Sequence, residues 1–133
     1  MTGFRVGFAT GPVHLIELMT KCVENVYSAV ATPSQYAALV AFDKGMMAMK
    51  KEYKKRRDFL VSRINEMDKI SCIMPKGAFY VFANIKKTGL SAEEFAERLL
   101  EKEHVAVIPG SNFSKNASGY VRISYGTSME KIE

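Results

Sequence analysis

The apolar residues of this chain recur with two different periods, which predict its helices and strands. Three segments carry apolar residues at helical spacing: residues 12–27, 32–68 and 91–103. Alternation or a short apolar run predicts four strands: residues 71–74, 78–85, 105–108 and 120–125. Residues 1–8 alternate as well, with Phe4, Val6 and Phe8 on one side and Arg5 on the other, so they predict an opening strand.

Residues that favour helix starts precede each of the three helical segments. They are Gly11-Pro12, Thr32-Pro33-Ser34-Gln35 and Ser91-Ala92-Glu93-Glu94. The second helix, from Thr32 to about Asp68, would be roughly 50 Å long at about 1.5 Å per residue. A domain of this size cannot cover so long a helix, so we expect it to bridge two bodies, with Gly45 marking a bend.

The order of the elements predicts the fold class. It runs strand, helix, long helix, two strands, helix, strand, strand and the start of a helix at Thr127 or Ser128. This order predicts an α/β or layered α+β fold, in which helices cover one small sheet. The last helix has barely one turn before Glu133, so we expect it to be truncated.

Composition narrows the class of protein. The chain has 133 residues, of which 47% are hydrophobic and 25% charged, as is typical of one soluble globular domain. No apolar run reaches membrane-spanning length, and no signal-peptide pattern opens the chain. Cys22 and Cys72 are far apart and lack metal-ligand spacing, so we expect buried, reduced thiols, a cytoplasmic protein and no metal.

The net charge of +5 permits an anionic partner, and seven cations crowd the second half of the long helix. They are Lys50, Lys51, Lys54, Lys55, Arg56, Arg57 and Arg63. One interpretation is a patch that binds nucleic acid or a membrane surface. The other is a solvated helix face, favoured near the C-terminal end by the helix dipole. Because Glu52 and Asp58 dilute the charge, and no base-stacking aromatic cluster accompanies it, we expect neither nucleic acid nor membrane as a partner.

Two arginines, Arg5 and Arg122, interrupt apolar strands. An arginine on the polar side of a core strand must meet water, a carboxylate or an anionic ligand. Each one taken alone is compatible with a structural salt bridge. Arg5 also stands between Gly3 and Gly7, where the backbone can come close to an anion.

Four motifs, in this order, resemble the C-terminal part of fold-type-I, pyridoxal-phosphate-dependent aminotransferases of class I/II, the aspartate and aromatic aminotransferase relatives. They are MTGFRVGF at residues 1–8, PKGAFYVF at 75–82, VAVIPGSNF at 105–113 and VRISY at 121–125. Residues 32–36 stand where this family begins its long interdomain helix. The resemblance covers essentially the whole chain. It implies that residues 1–31 are the end of the large, cofactor-binding domain, and that residues 32–133 are the long helix and the small C-terminal domain.

The resemblance also implies roles for single residues. Arg5 matches the arginine that binds the phosphate of the cofactor, and Arg122 matches the one that pairs bidentately with the α-carboxylate of the substrate. Gly77 would keep the backbone low beside the substrate, unless it is a plain turn glycine. Ser28 falls near the dimer contact of the family.

The lysine that carries the cofactor as a Schiff base in this family precedes the segment that matches Met1. The family's aspartate for the pyridine nitrogen and its ring-stacking aromatic residue have no match here either, and no lysine of this chain takes the missing role. We therefore expect no catalytic residue in this chain and weak or absent cofactor binding.

The function that the resemblance implies belongs to a parent enzyme, of which this chain would be a fragment that is inactive by itself. The parent would be a cytoplasmic homo-oligomer that transfers an amino group between an amino acid and a 2-oxo acid. Two alternatives stay open at this point: a non-catalytic, self-associating interaction module and a basic nucleic-acid-binding domain. Substrate specificity does not follow from these residues.

Overall fold

The computed structural model describes residues 2–45 and 47–133, and the chain divides into two compact units at residues 1–46 and 47–133. The first unit contains helices α1 (Val13–Tyr27) and α2 (Thr32–Lys44). The second contains helices α3 (Met47–Asn65) and α4 (Ala92–Glu103) and a four-stranded sheet. The domain boundary predicted after residue 31 stays a prediction.

Helix α1 confirms the first helical segment. It begins after Pro12, whose fixed φ suits a helix start, and its apolar residues recur every three or four positions. It ends where Ser28 takes a positive φ of 65° and donates its N–H to the Val23 carbonyl at 3.1 Å. None of its residues is buried, and Cys22, predicted to be buried, is exposed.

The single helix predicted for residues 32–68 is wrong, because two separate helices, α2 and α3, occupy that segment. Gly45 ends α2 with φ 66° and ψ 162°, while its N–H donates to the Ala41 carbonyl at 3.1 Å. Glycine takes a positive φ without a steric penalty, so it terminates a helix where a bend was expected. Met46 lies outside the described residues.

The predicted cap of the second helix is also wrong. Ala31 is the N-cap of α2, with no side-chain hydrogen bond to the helix, and Thr32 is already helical. The Gln35 side chain donates instead to the Val30 carbonyl at 2.8 Å. In contrast, α4 begins with the capping box predicted for Ser91 and Glu94, in which each side chain bonds the backbone of the other.

The sheet in the second unit is antiparallel, with the strand order β1-β2-β4-β3. Its strands are β1 (Ser71–Cys72), β2 (Tyr80–Asn84), β3 (Ile108–Pro109) and β4 (Tyr120–Ser124). The central pair, β2 with β4, aligns Val81 with Ile123 and Ala83 with Val121. The inward positions of these two strands are therefore apolar and face one side of the sheet.

Two hydrophobic clusters lie on that side of the sheet. One joins Ala83 and Val121 to Ala92 of α4, and the other joins Val81 and Tyr125 to Val61 and Ile64 of α3. The small sheet covered by helices is thus confirmed, and with it the layered α/β fold class. Tyr125 donates its hydroxyl to the Ala78 carbonyl at 3.0 Å, and burial raises the pKa of this tyrosine.

Not all predicted strands are confirmed in full, and the one predicted for residues 71–74 is reduced to Ser71–Cys72. Residues 2–4 form a short 3-10 turn and Arg5 follows with φ 51°, because the described part of the first unit offers no strand whose backbone could pair with theirs. The strand predicted for residues 105–108 is reduced to Ile108–Pro109. Val105 donates its N–H to Leu99 in the cap of α4 and is 46% exposed, so it does not enter the sheet.

We predict that Gly110→Ala lowers the free energy of unfolding by about 2 kcal/mol or more. Gly110 is buried, and a Cβ there would overlap the Ala117 carbonyl oxygen and lie 2.8 Å from the Tyr120 carbonyl oxygen, neither of which can move cheaply. Urea unfolding measures the change. The matched control is Gly77→Ala, where a Cβ meets nothing within 4 Å, so its effect stays below about 1 kcal/mol. Equal losses in the two variants would contradict this packing.

Candidate functional site

Arg122 stands on the side of the sheet that faces away from the two hydrophobic clusters. It lies in β4 between Val121, which is buried, and Ile123, which packs against both clusters. Alternation therefore turns Arg122 to the opposite face, where it is directly across from Phe82 of β2 and Ile108 of β3. Two aromatic strand residues, Tyr80 and Phe82, share that face.

The Arg122 guanidinium lies over two aromatic rings. Its central carbon lies 4.4 Å from the ring centroid of Tyr80 and 4.5 Å from that of Phe113. Both distances are within the range of cation–π contact. The rings cover the guanidinium, and its N–H donors lie in its own plane, so they remain available for the two oxygens of a carboxylate. Among the described residues, no carboxylate forms an ion pair with Arg122.

The ring of Phe113 is supported by the aromatic residues around it. Phe82 meets Phe113 edge to face with centroids 6.3 Å apart, and it stacks on Tyr120 at 5.5 Å. The ammonium group of Lys86 lies 5.1 Å from the Tyr120 centroid and adds a second cation–π contact on this face. The result is an aromatic surface with one clamped guanidinium in it.

A tight turn places Phe113 beside the sheet. Gly110 begins a 3-10 turn that ends at Phe113, whose N–H donates to the Gly110 carbonyl at 2.9 Å. Ser111 in this turn donates its hydroxyl to the carboxylate of Glu93 in α4. That hydrogen bond lowers the pKa of Glu93, so the carboxylate is ionised and ties the turn to the helix at neutral pH.

Arg5 belongs to the first unit and is exposed. It lines a cavity of about 790 Å³ together with Gly7, Phe8, Val23 and other small or apolar residues. No acidic residue lines this cavity among those described, so its charge suits an anion such as a phosphate group. Arg5 and Arg122 fall in the two separate units.

Gly77 is exposed at the turn that precedes β2. It lines a cavity of about 440 Å³ that is bordered by the basic residues Lys50, Lys54, Arg57 and Lys76. Its φ lies outside the left-handed region, and a Cβ would meet nothing within 4 Å. The fold therefore does not require glycine at this position.

The described residues contain neither a metal-binding cluster nor a membrane-spanning helix. No group of three or more His, Cys, Asp or Glu side chains among these residues could hold a metal ion. No described helix combines the length and the apolar character needed to cross a bilayer.

Comparison with known proteins decides the family. Residues 1–133 match the family described as aminotransferase class I and II. The chain belongs to this family. It is 48% identical to an aspartate aminotransferase from Pyrococcus horikoshii, over 99% of this chain and 35% of that protein. It is 41% identical to aromatic-amino-acid aminotransferase 2 from Thermococcus litoralis, over 100% of this chain and 35% of that protein.

Solved structures agree with this aminotransferase assignment. A crystal structure of an aromatic aminotransferase from Pyrococcus horikoshii matches with a TM-score of 0.80 and 44% identity, over 100% of this chain and 37% of that one. An aspartate aminotransferase from Thermotoga maritima matches with a TM-score of 0.78 and 36% identity, over 99% of this chain and 34% of that one. The chain thus spans about a third of the length of the relatives that it matches.

Sequence reasoning named Arg122 of this aminotransferase chain but missed the two residues that clamp it. Tyr80 could have been found from the alternation of β2, because it shares a face with Phe82 and lies diagonally across from Arg122. Phe113 carried no such signal, because it follows a turn and is not in the sheet. The roles predicted for Arg5, Gly77 and Arg122 toward ligands stay predictions.

We predict a measurable coupling between Phe113 and Arg122. A double-mutant cycle of Phe113→Leu and Arg122→Met, measured by urea unfolding, should give about 0.5–1 kcal/mol, the value of an exposed cation–π contact. The control cycle pairs Phe113→Leu with Arg63→Met, because Arg63 of α3 forms its ion pair with Glu66, just after the helix, and not with the clamp. Additive effects in both cycles would show that the ring does not hold the guanidinium.

Proposed function

We propose that this chain supplies two anion-binding arginines to a pyridoxal-phosphate-dependent aminotransferase. The enzyme would transfer an amino group between an amino acid and a 2-oxo acid. One observation carries the proposal: the Arg122 guanidinium lies over the rings of Tyr80 and Phe113. Contacts with ring faces would leave its in-plane donors to a carboxylate. The relatives named aspartate and aromatic-amino-acid aminotransferases support it.

Arg122 would bind the α-carboxylate that every amino acid and 2-oxo acid substrate shares. A planar, permanently charged fork fixes both oxygens of that carboxylate, which a single ammonium cannot do. The stacked rings limit the rotation of the guanidinium, so less freedom is lost when the substrate binds. The α-carbon next to this carboxylate is then held in a defined position, which is how a positioning group contributes to catalysis.

Arg5 would bind the phosphate of pyridoxal phosphate. The residues present fit that part of the cofactor, since one guanidinium lines a cavity without acidic residues among those described. When bound, the cofactor supplies an electron sink for chemistry at the α-carbon. Three roles of the family are not assigned to any residue of this chain. They are the lysine that carries the cofactor, the aspartate for the pyridine nitrogen and the aromatic residue that stacks on the ring. We therefore propose that the chain by itself holds the cofactor weakly and has no transferase activity.

Gly77 is proposed to leave room for the substrate beside the backbone, because it is exposed and no described atom approaches the position of a Cβ within 4 Å. The alternative, a plain turn glycine, accounts for the same geometry. A cytoplasmic homo-oligomer without nucleic-acid or membrane partners remains part of the proposal for the whole enzyme.

A second candidate function, a self-associating interaction module, is favoured by one observation in the first unit. No side chain described there is buried, and large apolar residues such as Phe8, Leu18, Leu39 and Phe42 are exposed. Two results together would favour this module. The apparent mass of the chain would rise with its concentration in sedimentation equilibrium, and the whole enzyme with bound cofactor would transfer no amino group. A constant monomer mass would remove it.

We predict that Arg122→Gln lowers kcat/KM of the whole enzyme with bound cofactor by about 100-fold or more for both substrates. The variant loses a charged, bidentate pair with the substrate carboxylate, which costs about 3 kcal/mol of transition-state stabilisation. The absorbance of the bound cofactor should not change, since this arginine would touch only the substrate. Arg63→Gln is the matched control: it removes an exposed bridge to Glu66 and should change kcat/KM less than about twofold.

Arg5→Gln should act on the cofactor instead of the substrate. Retention of pyridoxal phosphate through dialysis, followed by visible absorbance, should weaken by about 10- to 100-fold, because hydrogen bonds to a charged phosphate are lost. If Arg122→Gln and Arg5→Gln gave the same pattern, the separate roles proposed for them would be wrong.

The chain by itself should not transfer amino groups. We expect no 2-oxo acid product when it is mixed with pyridoxal phosphate, aspartate and 2-oxoglutarate, because none of its lysines has the role of carrying the cofactor. Product analysis by mass spectrometry measures this, with the holoenzyme as the positive control. Turnover by the isolated chain, together with a stable visible absorbance band, would overturn the proposal that it is inactive alone.

A further inference from the structure

One side of α3 changes from apolar to basic along its length. Toward the C-terminal end of the helix, Val61 and Ile64 are buried and pack in the cluster around Tyr125. Toward the N-terminal end, the same side carries Lys50, Tyr53, Lys54 and Arg57, whose spacing of three and four residues places them together. The hydrophobic cluster thus ends at Tyr53. On the N-terminal part of the helix, the same face carries cations.

These cations line one wall of the cavity of about 440 Å³, which we name the basic cavity. Its other wall is the turn at Lys76, Gly77 and Ala78, and Tyr125 lies between the two walls. Tyr125 holds the turn in place, since its hydroxyl donates to the Ala78 carbonyl at 3.0 Å. Tyr53 is fixed by its ring contacts with Phe79 and Tyr125, whose centroids lie 6.0 and 6.3 Å away.

The basic cavity has an unbalanced charge. Four cations and no carboxylate line it. Arg57 is neutralised by Asp58, which accepts at 2.6 Å, and is held by the Pro75 carbonyl at 3.1 Å. The other three, Lys50, Lys54 and Lys76, form no ion pair with any described residue. Like charges brought together from two elements repel each other, and a bound anion would remove that repulsion.

The backbone of the turn that lines the cavity also has donors without a protein partner among the described residues. In the part of the chain that the structure describes, the N–H groups of Lys76, Gly77 and Ala78 donate to no protein acceptor. Ala78 has a left-handed φ of 58°, which is uncommon for a residue with a Cβ. Free amides near free ammonium groups favour an oxyanion, because both kinds of donor suit phosphate or carboxylate oxygens.

We propose that the basic cavity binds a small organic polyanion with two or more phosphate or carboxylate groups. Its volume lies in the range of pockets for small ligands, and its four cations border this one cavity and not an extended strip, which argues against a nucleic acid. Neither Arg5 nor Arg122, the two arginines proposed to bind the cofactor and the substrate, lines this cavity, whereas Gly77 does.

Isothermal titration with tripolyphosphate and with citrate tests the proposal on the full chain. We expect saturable one-to-one binding of at least one of them, and the tighter of the two identifies the phosphate or the carboxylate as the preferred group. The variant Lys54→Gln/Lys76→Gln should bind about tenfold more weakly. The matched control Lys69→Gln/Lys87→Gln removes two exposed charges outside the cavity and should change the affinity less than about twofold.

Three results would overturn the proposal. One is the absence of saturable binding of both anions at low salt. Another is equal weakening in the two double variants, which would indicate a general effect of net charge. The third is loss of binding in Arg122→Gln, which would place the anion at the sheet. That variant also separates this inference from the proposed transferase, whose substrate contact it removes while the basic cavity stays intact.

Discussion

The antiparallel pairing of β2 with β4 is the constraint on which the second unit depends. These strands are separated by 35 residues of sequence, yet five aligned pairs join them, from Tyr80 opposite Ser124 to Asn84 opposite Tyr120. Because side chains alternate along a strand, a slip by one residue would turn Arg122 into the hydrophobic clusters and Val121 out to solvent. Burial of the apolar face thus holds the register, and the register sets the position of the guanidinium on the other face.

The two compact units differ in how far their apolar side chains are covered. The second unit has two hydrophobic clusters, with Val81, Ala83 and Ile85 fully buried. In the first unit, no residue with a described side chain is buried. Helices α1 and α2 therefore lack the packed apolar face that gives helices in proteins most of their stability.

Arginine and lysine are used in different ways in the second unit. Arg122 is a single guanidinium that lies over two aromatic rings, and its donors lie in one plane. The basic cavity instead gathers three lysines whose ammonium groups move on flexible side chains. A fixed fork suits one carboxylate in one orientation, whereas mobile point charges suit anions of varied shape. The cations of the second unit would thus serve the two kinds of anion recognition that we propose.

The sequence by itself determined the elements whose signals are local. The alternation around Arg122, the capping box of Ser91 with Glu94 and the period of α1 depend on residues a few positions apart, and all three are confirmed. The ordered motifs also indicated the family, because their residues and their order along the chain can be recognised without any knowledge of the fold. The exposure of Cys22 and the break after Lys44 were missed, although Gly45 was noted as the point of a bend.

Only the tertiary structure decided which distant residues meet. The clamp joins Tyr80, Arg122 and Phe113 from two strands and a turn, and the basic cavity joins α3 to the turn at Lys76. The periodicity of the sequence predicts neither arrangement, because each depends on how two elements that are distant along the chain pack against each other. The opening residues show the reverse case: their alternation is real, but a strand exists only where another backbone accepts its hydrogen bonds.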